Sequence, residues 1–240
     1  MRLASGQIDI WIAHLDLPQE QLTNLLQTLS PDEMARQQRY LFERDRLRFA
    51  AARGQLRYLL SQYLDCSPAK ISFSYGQRGK PLLSGNYPLY FNLSHSNELA
   101  VYALSQTTEV GVDIEYLRPL NHQRQIAQRF FAPAEYTALS ELAEELQTLA
   151  FFNCWTRKEA FIKASGKGLS YPLDSFEVSL RPGEPARLLS IAGDKDLAEE
   201  WTLRSFSPAG GYVAALATHG VVEEIIFQNL GADFQIIAEI

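Results

Sequence analysis

Asp113 and Glu115 stand two residues apart in Val110-Gly111-Val112-Asp113-Ile114-Glu115, a run that alternates apolar and polar with the period of a β-strand. That period sends Val110, Val112 and Ile114 to one face and Gly111, Asp113 and Glu115 to the other. Asp and Glu are poor strand formers and neighbouring like charges repel, so two carboxylates on one face cost free energy unless a cation lies between them. A divalent-cation site is one reading, and an exposed sheet face near a strand end is the other. Further along, Trp155-Thr156-Arg157-Lys158-Glu159-Ala160-Phe161-Ile162-Lys163 has helical spacing. Trp155, Glu159 and Ile162 are surface neighbours there and Lys163 lies one turn beyond Glu159. An acid and a base therefore share a face bordered by aromatic side chains, either as a surface ion pair or as part of a site.

The elements that must position these residues follow from periodicity and punctuation. Residues 8–13 alternate like a half-buried strand, 18–29 read as a short helix, and Ser30-Pro31-Asp32-Glu33 is a helix start. The helical pattern then runs to Tyr63 with a break near Phe42. Strands are expected at 71–75 and 89–93, with a turn at 76–81 between them and His95 just past the second strand. Residues 99–104 and 109–115 are expected to form an antiparallel pair. Helices follow at 123–131, 133–142 and 147–164, the last stopped by Gly166 and Gly168, and the remainder is mostly strand. Strand, helices and strands occur in that order twice, an α+β pattern. A faint repeat agrees: Ser30-Pro31-Asp32-Glu33 leads to Ala52-Arg53-Gly54-Gln55 as Ala132-Pro133-Ala134-Glu135 leads to Thr156-Arg157-Lys158-Glu159. Two similar halves, 1–109 and 110–240, are expected to pack tightly.

Composition narrows the class. The chain has 240 residues, 46% of them hydrophobic, enough for one large core or two small ones. No run approaches the length of a membrane span and the first residues lack the apolar stretch of a secretory leader, so a cytoplasmic location is expected. Cys66 and Cys154 are too few for a disulfide framework. A net charge of −6 argues against a general nucleic-acid binder. Arginine is nevertheless dense between Arg36 and Arg57, where a small polyanion could be held.

Gly111-Val112-Asp113-Ile114-Glu115, then Trp155 to Lys163, then Gly166-Lys167-Gly168-Leu169-Ser170 resembles the signature of the 4′-phosphopantetheinyl transferase superfamily, and its surfactin-synthetase-activating branch in particular. Gly79-Lys80-Pro81, Phe91-Asn92-Leu93-Ser94-His95-Ser96, Arg129-Phe130-Phe131 and Pro172-Leu173-Asp174-Ser175-Phe176 match in order, so the resemblance covers residues 30–180. It implies a monomer that binds coenzyme A between two similar halves and moves its phosphopantetheine to a serine of an apo acyl or peptidyl carrier protein. By motif position Asp113, Glu115 and Glu159 are the implied magnesium ligands, a role open to few carboxylates because Mg2+ completes its shell with water and phosphate. Lys158 and Lys163 resemble phosphate-contacting lysines. Lys80, Ser94 and His95 occupy positions that contact the nucleotide end or its phosphates, and Arg48 and Arg53 are expected near the 3′-phosphate, with the other arginines solvated.

Transfer to a serine requires a base and a positive site for the departing 3′,5′-ADP. Glu159 is the candidate base, directly or through a metal-held water, with Glu135 as the alternative. The carrier is expected to dock along residues 117–131, where Arg118, Arg124 and Arg129 could steer an acidic helix. Two rivals remain at this level: a metal-dependent phosphohydrolase or nuclease, and a non-catalytic module that only holds a carrier or nucleotide.

Overall fold

The computed structural model describes residues 1–76, 79–166 and 171–231. Residues 167–170, which carry most of the glycine-rich motif after Trp155 to Lys163, and 232–240 lie outside the described residues. The first part of the chain forms β1 (Gln7–His14), α1 (Gln19–Leu26), α2 (Pro31–Gln37), α3 (Glu43–Leu64), a short hairpin β2 (Phe73–Tyr75) and β3 (Pro81–Leu83), then β4 (Tyr90–Ser96) and β5 (Leu99–Ser105). The second part forms β6 (Val110–Tyr116), α4 (Gln123–Phe130), α5 (Pro133–Ser140), α6 (Glu144–Ser165), β7 (Phe176–Val178), β8 (Leu188–Ile191), α7 (Asp196–Glu199), β9 (Trp201–Phe206), β10 (Tyr212–His219) and β11 (Glu224–Leu230). The mixed α+β class read from the sequence is what is observed.

One sheet has the order β11-β1-β5-β4 and the other β6-β10-β9. The expected pairing of residues 99–104 with 109–115 does not occur: β5 pairs antiparallel with β1 and β4, whereas β6 pairs with β10. Both strands instead turn an aliphatic face to the space between the sheets. Ile8, Ile10 and Ile12 of β1 and Val101 of β5 meet Val110, Val112 and Ile114 of β6 in one buried cluster. The opposite face of the first sheet, with Trp11 and Tyr102, packs under α1 and α3. That of the second, with Val213 and Ala215, packs under α6. The molecule is thus layered helix, sheet, sheet, helix, each layer burying the apolar stripe its period prescribes.

The faint repeat is a structural one. Strands β1-β5-β4 recur as β6-β10-β9 and the hairpin β2-β3 recurs as β7-β8. Glu33 in the first turn of α2 accepts from the backbone N–H of Ser30 at 3.0 Å, and Glu135 in the first turn of α5 accepts from that of Ala132 at 2.8 Å. Each carboxylate also takes a buried cation from the following long helix, Arg57 Nε at 2.7 Å on Glu33 and Lys158 Nζ at 2.8 Å on Glu135. Each cation goes on to backbone carbonyls, Ile71 O at 2.7 Å for Arg57 and Phe176 O at 2.6 Å for Lys158. The correspondence therefore runs Arg57 to Lys158, one turn away from the Arg53 to Arg157 match suggested by sequence. The chain's last described strand departs from the repeat, since β11 crosses back to run parallel to β1 in the first sheet.

Gly111 fixes how closely α6 lies on the second sheet. A Cβ there would stand 2.1 Å from Ala160 O and 2.3 Å from Ala164 N, both backbone atoms that cannot step aside. Gly111→Ala is expected to destabilise the fold by roughly 2–3 kcal/mol by overpacking, a loss of several degrees in Tm. Thermal unfolding of the variant checks this, and a wild-type Tm would show that α6 has more room than this contact allows.

Candidate active site

The site is built where β4, β6 and α6 converge. Asn92, Ser94 and Ser96 alternate along one face of β4 and all three reach β6. Val112 N–H donates to Asn92 Oδ1 at 2.8 Å, Ser94 Oγ donates to Asp113 Oδ1 at 2.8 Å, and Ser96 Oγ donates to Glu115 Oε2 at 2.9 Å. A ladder of side chains thus joins two strands that belong to different sheets. It also accounts for the polar spacing of Phe91-Asn92-Leu93-Ser94-His95-Ser96, and β4 continues through His95 instead of ending before it.

Because α6 rests on Gly111, its Glu159 and Lys163 face the carboxylates two and four residues further along β6. The Lys163 ammonium donates to Asp113 Oδ1 at 2.6 Å, Ser94 Oγ at 3.0 Å and Val112 O at 3.0 Å, using all three of its N–H groups. Asp113 is 6% exposed, and its second oxygen, Oδ2, is buried without a hydrogen-bond partner. Burial pushes Glu159 up to about 7, reinforced by the charge of Asp113 and then Glu115 and relieved in part by Lys163. Glu115 is raised by burial and by Asp113, against the hydrogen bond from Ser96 and the nearby Arg118. The three carboxylates named from the sequence are therefore one electrostatic group, with Lys163 the close lysine among the described residues.

A cleft of about 700 Å³ opens beside them. Its walls are Arg36, Tyr40, Phe49 and Arg53 from the first helices, Lys80 from the β2-β3 hairpin, Ser94 and His95 from β4, and Glu159 and Lys163 from α6. Asp113 stands behind this lining, bonded to Ser94 and Lys163. Arg53 is buried between the rings of Phe49, Phe73 and Tyr75, each within 6 Å of its guanidinium carbon, and its Nη1 finds no acceptor among the described residues. Desolvation lowers its pKa from the ordinary arginine value. His95 keeps solvent access at the mouth, yet its recessed position, with Lys163 and Arg53 nearby, holds it below the usual imidazole range.

Three residues singled out from the sequence are placed elsewhere. Lys158 is 1% exposed and spends its ammonium on Glu135, Leu173 O and Phe176 O. Successive helical residues are about 100° apart, so the neighbour of Glu159 points into the core behind α6. Glu135 is 2% exposed and accepts from Ala132 N–H and Val178 N–H as well as Lys158, which removes it as a base. Arg48 is clasped by both oxygens of Asp16 at 2.7 Å and by Asn97 Oδ1 at 2.9 Å, and it is not part of the cleft wall. Arg36, expected to be solvated, lines the cleft in its place. The signal for it was present, since it sits in the last turn of the helix that opens at Ser30-Pro31.

Comparison with known proteins agrees with this geometry. The family description "4′-phosphopantetheinyl transferase superfamily" fits residues 109–217, and "4′-phosphopantetheinyl transferase, N-terminal" fits residues 17–107. The chain is 42% identical to 4′-phosphopantetheinyl transferase HetI of Nostoc sp. over 92% of this chain and 91% of that one. It is 34% identical to 4′-phosphopantetheinyl transferase Sfp of Bacillus subtilis over 71% and 76% of the two chains. The holo-[acyl-carrier-protein] synthase of Thermotoga maritima superposes on 48% of this chain and 64% of its own with a TM-score of 0.37 at 21% identity, too loose a match to carry weight. The chain belongs to the 4′-phosphopantetheinyl transferase superfamily.

The raised Glu159 has a stability consequence. Between the ordinary carboxylate range and about pH 7 the folded state holds a proton that the unfolded chain has released, so stability falls as pH rises through that window. Glu159→Gln removes the charge and is expected to stabilise the protein at pH 8 by on the order of 1–3 kcal/mol, with the gain vanishing near pH 4. Denaturant unfolding of both proteins at the two pH values, in chelator, reads the difference; an equal gain at both would mean that Glu159 is not the buried charge.

Proposed function

We propose that this chain transfers the 4′-phosphopantetheine of coenzyme A to a serine of an apo acyl or peptidyl carrier protein, releasing 3′,5′-ADP, with Mg2+ as its cofactor. The observation that carries this reading is the cleft in which Glu159, coupled to Asp113 and Glu115 behind it, lies with the cations Lys163, Arg53 and Arg36. Coenzyme A has a pyrophosphate at the bond to be broken and a 3′-phosphate at its far end, which requires anion recognition at two separated places. Lys163 lies beside the carboxylates, whereas Arg36 and Arg53 lie on the opposite wall. The transferase names of the relatives above support the same assignment.

Among the described residues no group of three or more His, Cys, Asp or Glu side chains is arranged to hold a metal ion as it stands. The donor set nevertheless fits magnesium. Asp113 Oδ2 is a buried, unpartnered anionic oxygen, and the mutual repulsion of three carboxylates is the cost a divalent cation relieves. Asp113, Glu115 and Glu159 would hold the ion, which when bound would neutralise charge on the pyrophosphate oxygens.

The remaining work falls to the chain's own groups. Lys163, already fixed by Ser94 and Val112 O, faces the charge that develops as the bridging P–O bond opens and the serine oxygen joins phosphorus. Glu159, directly or through a water held by the ion, is the proposed acceptor of the serine proton. His95 takes up a proton when phosphate arrives, because an adjacent anion restores its basicity. Arg53 and Arg36 anchor the nucleotide end so that the reacting phosphorus is presented in one place.

The carrier docks along residues 117–131 beside the carboxylates. Arg118 there reaches Glu115 at 3.4 Å and Arg124 lies 3.4 Å from Gln147 Oε1, contacts weak enough to yield to an acidic partner. A monomer in the cytoplasm completes the reading, and the two cysteines, Cys66 and Cys154, are free thiols as a reducing compartment would keep them.

Incubation with coenzyme A, Mg2+ and a purified apo-carrier, followed by mass spectrometry, is expected to show the carrier gaining one phosphopantetheine; phosphate release without acceptor modification would sink the reading. Lys163→Met should lower kcat about 100-fold in a folded protein. Arg124→Glu should raise the KM for the carrier and flatten its salt dependence while leaving that for coenzyme A unchanged.

A further inference from the structure

Lys80 belongs to a turn that the resemblance associates with phosphate contact, but its ammonium is engaged by the protein itself. It donates to Glu109 Oε2 at 2.8 Å and to Lys163 O at 2.8 Å, with Val110 O next at 3.5 Å. An ammonium has three N–H groups, so a ligand phosphate could be bonded only by giving one of these up. Val110 O and Lys163 O belong to two elements of the second half and Glu109 is the residue at the junction of the halves, whereas Lys80 comes from the first. Glu109 immediately precedes β6, Val110 opens it, and Lys163 O is one of the last carbonyls of α6, which end without an acceptor role inside the helix.

This placement touches both walls of the cleft. On one side the β2-β3 hairpin carries Phe73 and Tyr75, two of the three rings that enclose Arg53. On the other, the turn of α6 that ends at Lys163 carries Glu159 and is pressed on its inner side against Gly111. Lys80 therefore meets, from the cleft side, the same helical turn that Gly111 supports from behind. A positive group at a helix C-terminus is also favoured by the helix dipole. Lys80 and Glu109 are both partly exposed at the cleft rim, with side chains 20% and 45% accessible, so the pair holds the rim and not the core.

We propose that Lys80 and Glu109 form a clasp across the two halves, a pair of positioning residues that sets the separation between the Arg53 wall and the Glu159–Lys163 wall. Lys80 acts through the hairpin and the last turn of α6, and Glu109 holds it there. The proposal rests on the transferase reading for its kinetic consequence but not for its structural one. It gives Glu109, a residue without any obvious chemistry, a defined part in the reaction.

Four variants test it: Glu109→Gln, Lys80→Met, Lys80→Arg and the double variant Lys80→Met with Glu109→Gln. In the unliganded protein, amide hydrogen exchange in the hairpin and in the last turn of α6 should quicken several-fold in Glu109→Gln, with distant strands such as β10 unchanged. In transfer assays, kcat should fall about tenfold in Glu109→Gln, with a smaller change in the KM for coenzyme A. The double variant should be no worse than Lys80→Met alone, because both remove one clasp. Lys80→Arg should recover most of kcat, since a guanidinium reaches a carboxylate and a carbonyl together.

Unchanged exchange in Glu109→Gln would overturn the clasp. So would a Lys80→Met variant that raises only the KM for coenzyme A while Glu109→Gln is silent, the pattern of a lysine that binds phosphate in the ground state. A wild-type protein without transfer activity would count against the transferase reading instead, and the exchange measurements would still decide the clasp.

Discussion

The approach of α6 to β6 at Gly111 sets the distance on which the rest of the site depends. With no side chain at 111 the helix backbone lies directly on the strand, and Glu159 and Lys163 are carried to Asp113 and Glu115. Any larger residue would lift the helix and separate the lysine from its three acceptors. The contact is purely steric, yet its consequence is electrostatic. It brings like charges together at a place where burial already disfavours them, and so creates the condition for a cation to bind.

Such a site costs stability, and the fold offsets the cost away from the cleft. The face between the two sheets and the two helix-covered faces are largely apolar, and each half adds a buried carboxylate–cation pair at the start of its second helix. Both partners of each pair are enclosed and hydrogen-bonded, the condition under which a buried charge is tolerated. Glu33 Oε1 alone of the four carboxylate oxygens in these pairs has no hydrogen bond among the described residues, and it stands 3.9 Å from Arg53 Nε. At the cleft, Arg53 Nη1 in the lining and Asp113 Oδ2 behind it are also buried without hydrogen-bond partners among the described residues. Unsatisfied groups of opposite sign are what a ligand with its own cation and its own phosphates would complete.

Much of this was legible in the sequence where a single period decided the outcome. The period of two in β6 put Asp113 and Glu115 on one face, and the period of 3.6 in α6 put Glu159 and Lys163 together. Lys158 and Arg48 were assigned by motif position, and the structure gives both other surroundings. Lys158 adjoins Glu159 in sequence but lies about 100° around the helix, in the core. Arg48 lies five residues before Arg53 and therefore faces another side of α3, toward Asp16. The partners of β5 and β6 were not legible either, because adjacent strands with aliphatic faces satisfy a hairpin and a face-to-face packing of two sheets equally well. Asn92, Ser94 and Ser96 show the limit most plainly: their alternation marks a polar face, but nothing local says that another sheet lies across from it.

The duplication of the fold raises the question of why one helix-covered strand face carries a cluster of repelling carboxylates and the other does not. In β1 the residues facing the helices are Asp9, Trp11 and Ala13, and in β6 they are Gly111, Asp113 and Glu115. Asp9 is also buried, but it is surrounded by neutral donors: Gln7 Nε2 at 2.6 Å, the hydroxyl of Tyr63, and Gln228 Nε2 at 3.3 Å from β11. Trp11 fills the space beside it and donates its indole N–H to the same tyrosine. A carboxylate satisfied in this way has no oxygen left for a ligand, and the large ring keeps the helix from settling on the strand as α6 settles on Gly111. The two halves share a framework and one type of buried ion pair, and they differ in whether the strand's polar groups are paired within the protein. Because β11 supplies Gln228 to Asp9, the strand that breaks the repeat also helps to satisfy the buried carboxylate of the first half.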